Sequence, residues 1–151
     1  MAFPLANIVW PSLVLTDRLL CWWIVAIGLL VEFACLFWLT QASATKAAAM
    51  TLTMNLISAL IGIVAIPLSG VLWAPIAAVV DPVFGWGMFN PLAWVMSALL
   101  AALVNAIIET ASLRIVFKVS WTGKVFGWVF LANMVTAGLA FATIYLDPPK
   151  L

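Results

Sequence analysis

The chain is predicted to be an all-α integral membrane protein, with four transmembrane helices arranged as two parallel (same-orientation) helical hairpin repeats. Three observations predict this. Of its 151 residues, 68% are hydrophobic and only 7% charged, and the mean hydropathy is +1.28; such a composition belongs to membrane spans. Four stretches, about Leu19–Thr40, Ala47–Trp73, Leu92–Phe117 and Val125–Leu146, reach the roughly 20 helical residues that cross about 30 Å of hydrocarbon. The third observation is an internal repeat. Glu32, Lys46, Asn55 and Ser58 recur as Glu109, Lys124, Asn133 and Thr136, and these are the only two Glu residues of the chain. Lys precedes Asn by nine residues in both copies, and a hydroxyl follows Asn by three in both.

In chain order, residues 1–16 come first. This apolar segment carries Pro4 and Pro11 but no basic residue, and its first charges come later, at Asp17 and Arg18. It lacks the basic start of a cleaved leader, so it is expected to lie at the membrane interface. Repeat 1 covers about residues 17–73. Its two spans are apolar all round, as spans are, and Pro67 is expected to kink the second, with Gly62 and Gly70 nearby. The connection 74–91 contains Pro75, Pro82, Pro91, Gly85 and Gly87, yet also Ile76, Val79, Phe84, Trp86 and Phe89. It is too apolar for a solvated loop and is expected to be interfacial or re-entrant. Repeat 2 covers about residues 92–146, and the whole chain forms one membrane domain.

The turns Gln41–Lys46 and Lys118–Lys124 are short, so each repeat is a hairpin. Lys46, Arg114, Lys118 and Lys124 gather on the short-turn side, against Arg18 and Lys150 on the other. The positive-inside bias puts the short turns in the cytoplasm and both termini outside, as in a bacterial inner (plasma) membrane protein with periplasmic termini. These four basic residues are read as lipid-headgroup contacts made by snorkelling. Trp10, Trp22, Trp23, Trp73, Trp86 and Trp94 gather towards one side and Trp38, Trp121 and Trp128 towards the other, the pattern of two aromatic belts.

Depth connects the repeat to chemistry. Glu32 lies eight residues before Thr40 and Asn55 eight after Ala47, which sets both roughly 12 Å inside one membrane face at 1.5 Å per residue. Glu109 and Asn133 match in the same way. Each hairpin can therefore set a carboxyl opposite an amide, with Ser58 or Thr136 about one turn deeper and Asn105 one turn before Glu109. The six residues Glu32, Asn55, Ser58, Glu109, Asn133 and Thr136 form a candidate polar layer. Its bland reading is helix glue, since a neutral carboxyl and an Asn satisfy each other. Its sharp reading is a proton or cation site, because oxygen donors suit a hard cation and intramembrane acids mark ion pathways.

Other chemistry finds less support. His is absent and the two Cys, Cys21 and Cys35, sit in an apolar span, so the usual ligands for haem, zinc or copper are missing and the thiols read as small hydrophobes. A net charge of +1 offers no footprint for nucleic acid. No nucleophile or phosphate-loop motif is present, so no enzyme activity and no cofactor are expected, although Trp and apolar surface can hold lipid, quinone or pigment without a motif. The favoured expectation is a non-catalytic accessory or scaffold subunit that docks laterally into a larger membrane complex. Trp10, Phe84, Trp86 and Phe89 would be its partner contacts. The alternative is a small ion- or proton-coupled transporter or channel, or a homo-oligomer of one, using the Glu/Asn layer.

Overall fold

The computed structural model describes residues 4–84 and 91–146. It is all-helical there, with five helices: α1 (Pro4–Leu19), α2 (Trp22–Thr40), α3 (Ala44–Phe84), α4 (Pro91–Phe117) and α5 (Gly123–Leu146). Four of them contain a segment long and apolar enough to cross a bilayer: Trp22–Thr40, Ala44–Ser69, Trp94–Phe117 and Gly123–Ile144. With no water in hydrocarbon to take up backbone groups, a helix that bonds all of its own is one of the two structures that can span. The chain is thus an integral membrane protein.

Helix ends are set by local chemistry. The last turn of α1 tightens, with Cys21 N–H donating to the Arg18 carbonyl at 3.0 Å, and Cys21, extended at φ −60°, starts α2. Both α2 and α4 end against a residue in the left-handed region, Gln41 at φ 49° and Lys118 at φ 59°, the usual way to terminate a helix. Both following helices then start on a hydroxyl cap. Ser43 Oγ accepts from Lys46 N–H at 3.3 Å, and Thr122 Oγ1 accepts from Val125 N–H at 3.2 Å. Each cap satisfies a backbone donor that the first helical turn would leave orphaned.

The helices α2 to α5 form a ring in which each packs on its two neighbours, α2 on α3, α3 on α4, α4 on α5 and α5 on α2. Two apolar clusters fill it. One joins Ile24, Ile66, Ala102, Ala140 and Ile144 near the α1 end. The other joins Leu36, Met50, Met54, Leu113 and Val129 near the short turns. Between them runs a polar band. Ala dominates the facing positions of α4 and α5 (Ala98, Ala101, Ala102, Ala137, Ala140), and small residues of this kind let membrane helices approach closely. Outward-facing Leu30, Leu56 and Leu60 are more than 60% exposed, as suits lipid contact.

Two segments outside the expected spans are helical. Residues 1–16, expected at the interface, form most of α1, which packs against α3, α4 and α5, with Leu15 buried in the first cluster and Ser12 Oγ 3.4 Å from Ser97 Oγ. Val14 and Leu15 both belong to that cluster. The second is in the connection 74–91. Its first part, through Phe84, continues α3 without a break past Pro67, Pro75 and Pro82. Each Pro deletes one backbone bond and membrane helices tolerate that loss, so the helix outruns the span it supplies. At 41 residues it is roughly 60 Å long, well beyond a bilayer core. Residues 85–90 lie outside the described residues, and Pro91 opens α4 at the first helical position, where its missing N–H costs nothing.

Candidate functional site

The polar band is built from one residue type per helix. Glu32 on α2 and Glu109 on α4 are 3% and 1% exposed. Opposite them stand Asn55 on α3 and Asn133 on α5. Asn55 Nδ2 donates to Glu32 Oε2 and also to the Thr51 carbonyl at 2.9 Å. Asn133 Nδ2 does the same, donating to Glu109 Oε2 at 2.6 Å and to the Val129 carbonyl at 3.1 Å. Both amide hydrogens of each Asn are thus committed. One anchors the side chain to its own helix, four residues back, and the other reaches across to the carboxyl.

Ser58 joins the two halves. It lies three residues after Asn55, which rotates it about 60° around α3, away from α2 and towards α4. There its Oγ, whose one hydrogen also has the Asn55 carbonyl in reach at 3.2 Å, donates to Glu109 Oε1 at 3.0 Å. The result is a continuous polar chain across all four spans: Glu32, Asn55, Ser58, Glu109, Asn133. Glu109 accepts two side-chain hydrogen bonds, one on each oxygen.

Thr136, which follows Asn133 as Ser58 follows Asn55, does not complete the pattern. Its Oγ1 donates to the Ala132 carbonyl at 3.3 Å and packs on Gly28, where an added Cβ would stand 3.0 Å from it. Glu32 therefore has one side-chain donor where Glu109 has two. Among the described residues no hydrogen bond reaches Glu32 Oε1.

A cavity of about 120 Å³ opens beside this unmatched carboxyl. The floor holds both Glu, both Asn, Ser58 and Thr136, and it extends past Gly28, Gly62 and Ile66 to Thr16 and Leu19 at the end of α1. Asn105 also lines it, and its buried Oδ1 has no hydrogen-bond partner. Leu20, Val25, Ala59 and Ile63, on the flank between α2 and α3, are exposed. Gly62 is what admits Asn105, since a Cβ there would lie 3.3 Å from Asn105 Oδ1. The free oxygens facing the cavity are acceptors, so its natural occupants are donors or cations.

All six residues expected in the layer lie at this level. Asn105, expected only as an extension, carries a buried oxygen without a partner. Gly28, Gly62 and Thr16 were not foreseen. One signal for Gly28 was available: it precedes Glu32 by four residues, as Asn105 precedes Glu109. Of the basic residues, Lys46 and Lys118 line a cleft between the short turns, whereas Arg114 and Lys124 do not. Of the expected partner contacts, Trp86 and Phe89 lie outside the described residues. The side chains of Trp10 and Phe84 likewise lie outside the described residues. No family model matches the chain, and no curated protein or solved structure is significantly similar to it.

Proposed function

We propose that the chain is a small cation- or proton-handling membrane protein, non-catalytic, whose working site is the Glu–Asn layer and the cavity beside it. One observation carries this reading. Among the described residues, two acceptor oxygens that face one cavity in the polar band, Glu32 Oε1 and Asn105 Oδ1, take no hydrogen bond. A layer serving only as glue gains by pairing both, because an unsatisfied polar group in an apolar interior costs about 1–3 kcal/mol. An open acceptor pair beside a carboxyl is what a site for a proton or hard cation requires.

The repeat supports the same reading. The matching left-handed caps at Gln41 and Lys118, the hydroxyl caps at Ser43 and Thr122 and the doubled Asn anchoring fit two hairpins of the same orientation, related by an axis along the membrane normal. Transporters built from parallel repeats place their sites at such an axis. The excess of basic residues on the short-turn side favours a cytoplasmic location for those turns and an outer location for both termini, as in a bacterial inner membrane.

The test is flux in proteoliposomes under imposed proton and sodium gradients, comparing the native chain with a Glu32→Gln, Glu109→Gln variant. Flux in the native protein that disappears in a folded variant supports the reading. Equal flux in both, or none in the native protein, refutes it.

A second reading, the accessory subunit, draws on α2. Trp22, Ala26, Leu30, Ala34 and Trp38 succeed one another every four residues and are all exposed, a continuous apolar stripe available to a partner helix. Its two Trp lie roughly 24 Å apart along the axis, which also suits the two interfaces of a lipid bilayer. Pull-down from the native membrane in mild detergent separates the two. A stoichiometric membrane partner lost on Leu30→Gly, with Glu32→Gln harmless, would favour the subunit.

A further inference from the structure

The two short turns enclose a cleft of about 510 Å³, which the Glu–Asn layer does not involve. Lys46 enters it from the first turn and Lys118 from the second, beside the hydroxyl residues Ser120 and Thr122. Its floor is apolar, with Met50, Phe117 and Val125, and among the described residues no carboxylate lines it. Thr122 Oγ1 already accepts the Val125 N–H, so its own hydrogen remains available to donate. The cleft thus offers two cations and a hydroxyl donor above an apolar base.

We propose that this cleft is a binding site for the phosphate of an anionic phospholipid headgroup, held jointly by Lys46 and Lys118. The left-handed residue Lys118 is what turns its chain back towards the cleft at the end of α4, so the site belongs to the fold of the turns. Two ammonium groups complement a phosphate diester electrostatically. The volume exceeds what a lone phosphate fills, and the apolar floor matches the glycerol and first acyl carbons that follow the phosphate in a lipid. Free phosphate would leave that floor uncovered. General attraction between basic residues and the membrane surface would draw equally on Arg114 and Lys124, which lie outside the cleft.

The full chain in detergent is examined by native mass spectrometry with added phosphatidylglycerol, comparing Lys46→Gln, Lys118→Gln with the charge-matched Arg114→Gln, Lys124→Gln variant. The expected result is that retained lipid falls about tenfold or more in the first variant and less than about twofold in the second, since each contact near the surface contributes on the order of 1 kcal/mol. Equal losses in both variants would overturn the proposal in favour of diffuse attraction. Equal retention of phosphatidylcholine by the native chain would overturn recognition by charge. Displacement of the lipid by inorganic phosphate at matched concentration would assign the cleft to free phosphate instead. Near-ultraviolet circular dichroism establishes that both variants are folded, and Lys46→Arg, Lys118→Arg, which keeps both charges, is expected to retain the lipid.

Discussion

Gly28→Ala probes the closest approach of helices in the polar band, and its effect follows from the geometry. A Cβ at residue 28 would meet Thr136 Oγ1 at 3.0 Å and Thr136 Cγ2 at 3.3 Å. Rotating Thr136 about χ1 takes one γ atom out of the contact but leaves the other facing the new Cβ, and β-branching leaves it few alternatives. The helices α2 and α5 must therefore part slightly, an overpacking cost of about 1–3 kcal/mol. Ala is the better helix former by about 1 kcal/mol, so the single variant should lose roughly 0–2 kcal/mol. That net figure alone is a weak test; the coupling is a strong one. Thr136→Ala removes both offending atoms and leaves its own Cβ at 3.7 Å, an ordinary contact. In the Thr136→Ala background, Gly28→Ala should therefore become stabilising, with a coupling of about 1–3 kcal/mol between the two sites. The assay is reversible unfolding in mixed micelles with increasing dodecyl sulfate, followed by tryptophan fluorescence. Additivity within roughly 0.5 kcal/mol would mean that the two residues do not touch, and the assigned packing of α2 on α5 would be wrong.

Three further outcomes follow from the same structure. Glu109→Ala removes the cross-helix acceptor of both Asn133 and Ser58, leaving them only the Val129 and Asn55 carbonyls on their own helices, and opens a void, so it should destabilise by about 2–4 kcal/mol in the same assay, whereas Glu109→Gln, which can still accept at one oxygen, should lose less than half of that. Asn105→Leu removes an acceptor that has no partner; stability should hold within about 0.5 kcal/mol or rise, while cation or proton flux falls. Leu15→Ala should cost about 2–4 kcal/mol because Leu15 is 1% exposed in the core; a change under about 0.5 kcal/mol would return residues 1–16 to the surface as an interfacial segment.

Much of this arrangement is legible in the sequence, and the misses have physical causes. Apolar length alone locates the four spans, because hydrocarbon thickness imposes it. Counting residues from the turns puts Glu32 level with Asn55 and Glu109 level with Asn133, because helical rise is constant. Rotation about the axis is harder. In a span that is apolar on every side, no periodicity shows which face meets which neighbour, so the turn of Ser58 towards Glu109 and of Thr136 towards Gly28 was hidden. Proline hid the length of α3. Pro75 and Pro82 read as part of a connection, yet each removes a single bond from a helix that has no better alternative, and α3 continues to Phe84. Residues 1–16 were legible as an apolar segment but not as a source of core contacts, and their C-terminal end supplies Leu15 to the core.

The central claim is that the carboxyl of Glu32 is an open site in a cavity, and infrared difference spectroscopy of the carboxyl bands tests it most directly. Spectra of the reconstituted protein are recorded on exchanging sodium for an inert large cation and on changing pH, for the native chain, Glu32→Gln and Glu109→Gln. A carboxyl band should respond, vanish in Glu32→Gln and persist in Glu109→Gln, because Glu109 has both oxygens engaged by Asn133 and Ser58. The absence of any responsive carboxyl band in the native protein would contradict the account and leave the layer as structural hydrogen bonding.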